Sequence, residues 1–139
     1  MLKFPIKKTV SSSSYAKGYF NKLSEVSKKI NYEKIEELAN LILNHYLSNK
    51  NIFVCGNGGS ASISNHFICD HLKGTSLNTN LLPKIISLSS NLEIITAIAN
   101  DIKYDEIFSF QLSRLARQGD CLITISSSGN SENIVKAIK

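Results

Sequence analysis

The chain predicts an α/β sandwich with a central parallel sheet, preceded by two helices. Three observations lead there. Short β-branched apolar runs alternate with helix-like stretches over most of the length, the pattern of strand–helix–strand units. Two of those runs end directly in serine–glycine loops, Cys55-Gly56-Asn57-Gly58-Gly59-Ser60-Ala61 and Ser126-Ser127-Ser128-Gly129-Asn130-Ser131, and each loop leads into a helix-like stretch. Before the first strand, apolar residues recur only at helical spacing.

The elements follow in order. Residues 1–14 read as a loose lead-in, because Pro5 and the run Ser11 to Ser14 argue against packing, with Ser14 available to cap the next helix. From Tyr15 to Ile30, Phe20, Leu23, Val26 and Ile30 mark a helix. A second helix runs from Tyr32 to Leu47, capped by Asn31. Its apolar residues (Ile35, Leu38, Leu41, Ile42, Leu43, Tyr46 and Leu47 among them) are too many for one face. It therefore calls for cover on two sides: its own sheet, and either a partner subunit or more of the same domain. Asn51 to Cys55 is a strand, Ser60 to Leu72 a helix and Lys73 to Pro83 a polar loop. Lys84 to Leu88 is a second strand. Asn91 to Ala99 and Tyr104 to Arg117 are helices, Asp120 to Ile125 is a third strand, and a last helix opens at Ser131. A parallel sheet of three strands is a poor stopping place, so the sequence reads as the front portion of a longer domain.

Composition narrows the partners. At 139 residues and 42% hydrophobic, the chain suits one globular domain. The net charge of +5 comes from scattered lysines, with arginine only at Arg114 and Arg117. That is no basic stripe with interleaved aromatics, so nucleic acid is not the expected ligand; a mild positive field suits an anionic small molecule. Three cysteines make no disulfide framework, and Cys55 and Cys121 read as buried thiols of a reducing compartment. The start, MLKFPIKK, has no long apolar core, and no run approaches a membrane span, which makes the cytoplasm the expected location.

Both loops stand where a strand hands over to a helix. Helix N-termini offer unpaired N–H groups and a positive dipole end, and serines add hydroxyl donors, which suits a phosphate. The segment Gly56-x-Gly58-x-x-Ala61 superficially fits a dinucleotide fingerprint, but the next strand ends Ser87-Leu88-Ser89 without the carboxylate that would hold a ribose. A nucleoside-triphosphate loop is excluded, since no Gly-Lys-Ser/Thr follows. One alternative for the second loop is a plain turn with Asn130 or Ser131 as a helix cap. On the helix after the first loop, Ser62, His66 and Asp70 are spaced four apart and share a face. A histidine and a carboxylate there suit proton transfer or a divalent metal, or a surface hydrogen-bonded pair. Asn100-Asp101 closes a short helix, either as a turn or as polar groups reaching a ligand.

Taken together, Asn57-Gly58-Gly59-Ser60-Ala61, His66-Phe67, Thr96 to Asp101, Tyr104 to Phe108, Gly119-Asp120 and Ile125 to Ser131 resemble the SIS (sugar isomerase) domain, most of all its sedoheptulose 7-phosphate isomerase branch. The resemblance runs from Tyr15 to Lys139, with a helical pair over 15–49 and an incomplete α/β core over 50–139. It implies a flavodoxin-like three-layer sandwich and a homotetramer assembled through the amino-terminal helices. It implies a phosphosugar ligand, with Ser60, Ser126, Ser127, Ser128 and Ser131 around the phosphate and Asn57, Gly58, Asn100, Asp101 and Asn130 lining the site. The implied reaction is aldose–ketose isomerisation through an enediol, in heptose or surface-polysaccharide (lipopolysaccharide or capsule) precursor synthesis. In the family a His and a Glu one turn apart help bind zinc, and the Glu is the proposed base.

Here His66 holds the histidine position, and the glutamate position is Asp70, one methylene shorter. An aspartate common after the second strand corresponds to Asn91. The family's later Gln and His, which complete the metal site, have no counterpart in these residues. The leading expectation is therefore an isomerase with Asp70 as base and His66 and Asp70 as zinc ligands. The alternative is a non-catalytic SIS module, either replication-initiator-associating or phosphosugar-sensing.

Overall fold

The computed structural model describes Lys8, residues 11–77 and residues 79–139, arranged as two compact units, 1–39 and 40–139. Most of the expected lead-in lies outside the described residues. Its end does not behave as a loose segment. Ser11 caps helix α1 (Ser12–Ser27): its hydroxyl accepts from the Ser14 N–H, and the Ser14 hydroxyl accepts from the Ser11 N–H. The serine run thus starts the helix, and Ser11 rather than Ser14 is the cap. Reciprocal capping satisfies two otherwise orphaned donors, which outweighs serine's modest helix propensity. Tyr19, Phe20, Leu23 and Val26 on α1 are all exposed. Helix α2 (Tyr32–Leu47) starts as expected, with the Lys34 N–H donating to Asn31 Oδ1 at 3.2 Å.

The second unit is built on a three-stranded parallel sheet. Its strands are β1 (Asn51–Gly56), β2 (Lys84–Ser87) and β3 (Cys121–Ile125), in the order β2-β1-β3. Phe53 pairs with Ile86 on one side and Leu122 on the other, which makes β1 the central strand. Successive side chains of a strand point to opposite faces. On β1, Ile52 and Val54 accordingly join Tyr46 and Ile85 in one apolar cluster, with Ile42, Phe67 and Ile68 packed against it. Phe53 and Cys55 join Leu88, Ile98, Ile107, Phe108 and Ile134 in the other. Ile42 and Tyr46 of α2 thus cover one face of the sheet, while Leu41, Leu43 and Leu47 of the same helix stay exposed. The sheet-side cover is present.

Helix α3 (Gly59–Cys69) follows β1 and continues as a π-helical turn over Asp70–Thr75, so the polar loop expected from Lys73 starts after helical structure ends. Helix α4 (Leu92–Asp101) is capped by Asn91, whose Oδ1 accepts from the Ile94 N–H at 2.9 Å. The single helix expected over Tyr104 to Arg117 is instead a 3-10 turn (Tyr104–Glu106) followed by α5 (Ser109–Leu115). Ile107 and Phe108, at the break, are both buried in the core. The buried Gln111 side chain secures the junction by donating to the carbonyls of Leu88 (3.0 Å) and Ile107 (2.7 Å). Helix α6 (Glu132–Ile138) follows β3.

Asp120 fastens the start of the sheet. One of its oxygens accepts from the Asn51 N–H, and the other accepts from Asn51 Nδ2 and the Arg117 N–H. Cys55 is fully buried, and Cys121 is only half-buried.

Candidate functional site

Strand β1 hands over to α3 on the Tyr46 side of the sheet, whereas β3 hands over to α6 on the Phe53 side. Adjacent strands whose following helices leave on opposite faces define a topological switch point, where open α/β sheets leave a crevice for ligands. The two serine–glycine loops occupy that point.

Two glycines shape the first loop. A Cβ on Gly56 would stand 2.7 Å from the carbonyl carbon, Cβ and oxygen of Ser60, so only glycine lets α3 begin this close to the strand. Gly58 has φ +55° and ψ −123°, a conformation that favours glycine. The Ser89 hydroxyl closes the strand end against Gly56, accepting from its N–H and donating to its carbonyl. In the second loop, Ser126 Oγ accepts from the Gly129 N–H (3.1 Å) and Ser128 Oγ from the Asn130 N–H (3.3 Å). Both hydroxyl oxygens are held from inside the loop, and a hydroxyl that accepts in this way still has its proton to donate. Ser127, Ser128 and Asn130 are exposed, and Ser60 and Ser126 half-buried.

Side chains join the first loop to α6, the helix that the second loop opens. Asn57 Nδ2 donates to Asn133 Oδ1 at 2.8 Å, and Asn133 Nδ2 returns a bond to Asn57 Oδ1 at 2.9 Å. The Tyr104 hydroxyl donates to Asn57 Oδ1 at 3.2 Å. Around them lies a cavity of about 560 Å³ whose lining includes Asn57, Lys103, Tyr104, Ser131, Glu132 and Asn133. Lys136 ties the turn that carries Tyr104 to α6, pairing with Asp105 at 3.1 Å and with Glu106. The Lys136 and Ser109 hydrogen bonds hold the Glu106 carboxyl below its usual range.

Of the sequence-predicted residues, the structure brings Asn57 and Ser131 into this cavity. Asn100 and Asp101 stay outside it, exposed at the end of α4, where Asn100 Nδ2 donates to Asp101 Oδ1 at 2.7 Å. His66 and Asp70 line a second cavity of about 460 Å³ with Ser62, Ile63 and Phe67. His66 Nε2 lies 3.3 Å from Asp70 Oδ1, and both side chains are open to solvent at 71% and 64%. The expected Ser62–His66–Asp70 face therefore exists, in a cavity that shares no lining residue with the first. The pair presents two metal donors. A catalytic zinc takes three protein ligands, and among the described residues no third His, Cys, Asp or Glu joins them. His71, next along, is turned inward: Tyr46 shares a 2.6 Å hydrogen bond with its Nδ1, burial pulls its pKa down, and burial pushes the Tyr46 phenol up to about 12.

Sequence reasoning missed Asn133. The available signal was a second amide two residues beyond Ser131 and just ahead of the apolar Ile134-Val135. Tyr104 was visible only as part of a motif. Its contact with Asn57 spans 47 residues of chain and has no local signature.

A crevice at the switch point between two serine–glycine loops places the chain among open α/β proteins. The family model described as SIS domain matches residues 14–139, and the chain belongs to that family. It is 47% identical over 107 residues to the phosphoheptose isomerase of Shewanella denitrificans, covering 77% of this chain and 54% of that protein. The phosphoheptose isomerase of Shewanella pealeana matches at 45% with the same coverage. Among solved structures, the phosphoheptose isomerase GmhA of Neisseria gonorrhoeae superposes with a TM-score of 0.79 at 32% identity, covering 92% of this chain and 67% of that one. A phosphoheptose isomerase from Francisella tularensis gives 0.75 at 30%, covering 93% and 67%. The α/β fold is shared with both. The chain spans about half the length of the curated relatives it matches.

Proposed function

We propose that this chain forms the amino-terminal part of a phosphosugar aldose–ketose isomerase acting on sedoheptulose 7-phosphate. The observation that carries the reading is the meeting of two serine–glycine loops at one switch point, the first tied through Asn57 to Asn133 on α6, the helix that the second opens. The phosphoheptose isomerase relatives support the choice of substrate.

In this reading, Ser60, Ser126, Ser128 and Ser131 donate to the phosphate, whose charge favours the dipole end of α3. Ser127, Gly58 and Asn130 are assigned to the rim of the same ligand, and Asn100 and Asp101, which stand outside the cavity, to its surroundings. Asp70 is the base. It takes the C1 proton of the ketose, an enediol forms as the O1 proton passes towards O2, and the proton is returned at C2 to give the aldose. His66, 3.3 Å from Asp70, orients the carboxylate. Zinc, if bound by these two residues together with donors from outside the described residues, would polarise the sugar oxygens; every residue role above is independent of it. The exposed apolar faces of α1 and α2 are proposed to build a homotetramer. A cytoplasmic place in heptose or surface-polysaccharide precursor synthesis completes the reading. Among the described residues no helix is long and apolar enough to cross a membrane.

The test is turnover of sedoheptulose 7-phosphate by the full-length protein, followed by proton exchange at C1. Asp70→Asn is expected to abolish it with the fold intact. Wild-type-like activity in that variant refutes the base assignment. A folded wild type that neither binds nor converts the sugar phosphate refutes the isomerase.

A further inference from the structure

A carboxamide has two N–H donors and two carbonyl lone pairs. For Asn57, Asn133 takes one of each through the reciprocal pair, and the Tyr104 hydroxyl takes the second lone pair. One N–H is left, on a side chain that lines the switch-point cavity. Asn133 is only 2% exposed, and its amide oxygen and nitrogen each bond to Asn57. We propose that Asn133 and Tyr104 are positioning residues that lock the Asn57 carboxamide so that it offers the cavity one N–H donor and no acceptor, for an oxygen of the bound sugar. The assignment deepens the phosphosugar reading and rests on it.

The chemistry explains why such a lock is useful. The groups that change during aldose–ketose interconversion are a carbonyl oxygen and the enediol oxygens that replace it, and charge on them is stabilised by a fixed donor. An unrestrained asparagine has two nearly equivalent settings about its last torsion, and one of them would face those oxygens with a carbonyl. The reciprocal pair alone does not choose between the settings, because it survives if both amides turn together. In the structure the setting is the one in which the Tyr104 hydroxyl donates to Asn57 Oδ1, which leaves an N–H and not the carbonyl for the cavity. The elements that carry the two anchors are also tied together. Lys136, one helical turn beyond Asn133, holds Asp105 and Glu106 of the turn that presents Tyr104.

The experiment follows the side-chain NH2 protons of Asn57 by NMR in the full-length protein, together with steady-state turnover of sedoheptulose 7-phosphate and calorimetric binding of inorganic phosphate. Wild type is expected to show one Asn57 proton protected from solvent exchange and one exchanging freely, the latter shifting when the sugar phosphate is added. Asn133→Ala should lose the protection and lower kcat about 10- to 100-fold, the scale of one fixed donor or somewhat less, with KM and phosphate binding changed less than about 3-fold. Asn133→Asp keeps the volume and removes the donor, and should lower kcat likewise. Tyr104→Phe should keep the protected proton and still lower kcat several-fold, a pattern a purely structural role would not give. Wild-type kcat in both Asn133 variants, or two freely exchanging Asn57 protons in wild type, overturns the lock. A wild type with the protected proton but no uptake of sedoheptulose 7-phosphate refutes the isomerase reading and the donor role with it, a pattern distinct from failure of the lock alone.

Discussion

Replacing Gly56 by alanine tests the junction on which the candidate site depends. The added methyl would stand 2.7 Å from three atoms of Ser60, two of them backbone, where ordinary contact begins at 3.4 Å. Backbone cannot rotate aside as a flexible side chain would, so α3 must retreat by the difference, about 0.7 Å, or β1 must bend. Overpacking of this kind costs about 1–3 kcal/mol. With a urea slope of about 1.5–2 kcal/mol per molar, the unfolding midpoint should fall by about 0.5–2 M with the slope unchanged. Retreat of α3 also carries Ser60 away from the second loop, so sedoheptulose 7-phosphate binding should weaken along with stability. Gly59→Ala is the control: nothing lies within 4 Å of its Cβ, and the stability should stay within about 0.5 kcal/mol of wild type. Equal midpoints for Gly56→Ala and Gly59→Ala, with unaltered binding, would refute the claim that close approach at Gly56 sets the loop.

Three further outcomes are expected. Ser60→Ala and Ser128→Ala should each weaken sedoheptulose 7-phosphate binding by about 1–3 kcal/mol, the worth of a hydrogen bond to a charged group, and unchanged titrations would remove those serines from the phosphate. Burial pushes the Cys55 thiol up to about 12, whereas Cys69 is exposed, so a thiol reagent at pH 8 should label Cys69 in the native protein and Cys55 only after unfolding; mass mapping of native Cys55 label would contradict the packing of β1. Burial alone would raise the Asp120 pKa, but hydrogen bonds from Asn51 and Arg117 outweigh it and hold the carboxyl below its usual range. A depressed folded pKa gives stability that is present above the unfolded value and lost as pH falls through the folded one. Asp120→Asn should therefore destabilise at neutral pH and flatten the acid side of the stability profile, and a profile parallel to wild type would show that Asp120 carries no such linkage.

The second helix was legible to the residue, because Asn31 and the periodic apolar set are local signals. The Ser11 cap was harder to read, since a run of four serines offers several equivalent caps and only the realised hydrogen bonds choose among them. The break between the 3-10 turn and α5 was hidden for a different reason. Ile107 and Phe108 continue a helical pattern in sequence, yet both must be buried, and the core decides how the chain turns there. At the site, both loops announced themselves through glycine and serine at strand ends. The partners Asn133 and Tyr104 did not, because they reach Asn57 across 76 and 47 residues.

The sequence by itself determined the alternation of strands and helices, the two serine–glycine loops, the one-face spacing of His66 and Asp70, and the family. These are properties of neighbours along the chain, set by turn chemistry, capping and period. Only the tertiary structure decided that the loops meet at the point where the winding reverses, that Asn133 and Tyr104 consume most of the bonding capacity of Asn57, and that His66 and Asp70 line a cavity of their own. Strand order and the faces taken by the helices come from burying the two sides of β1, a global packing constraint that no local stretch of residues contains.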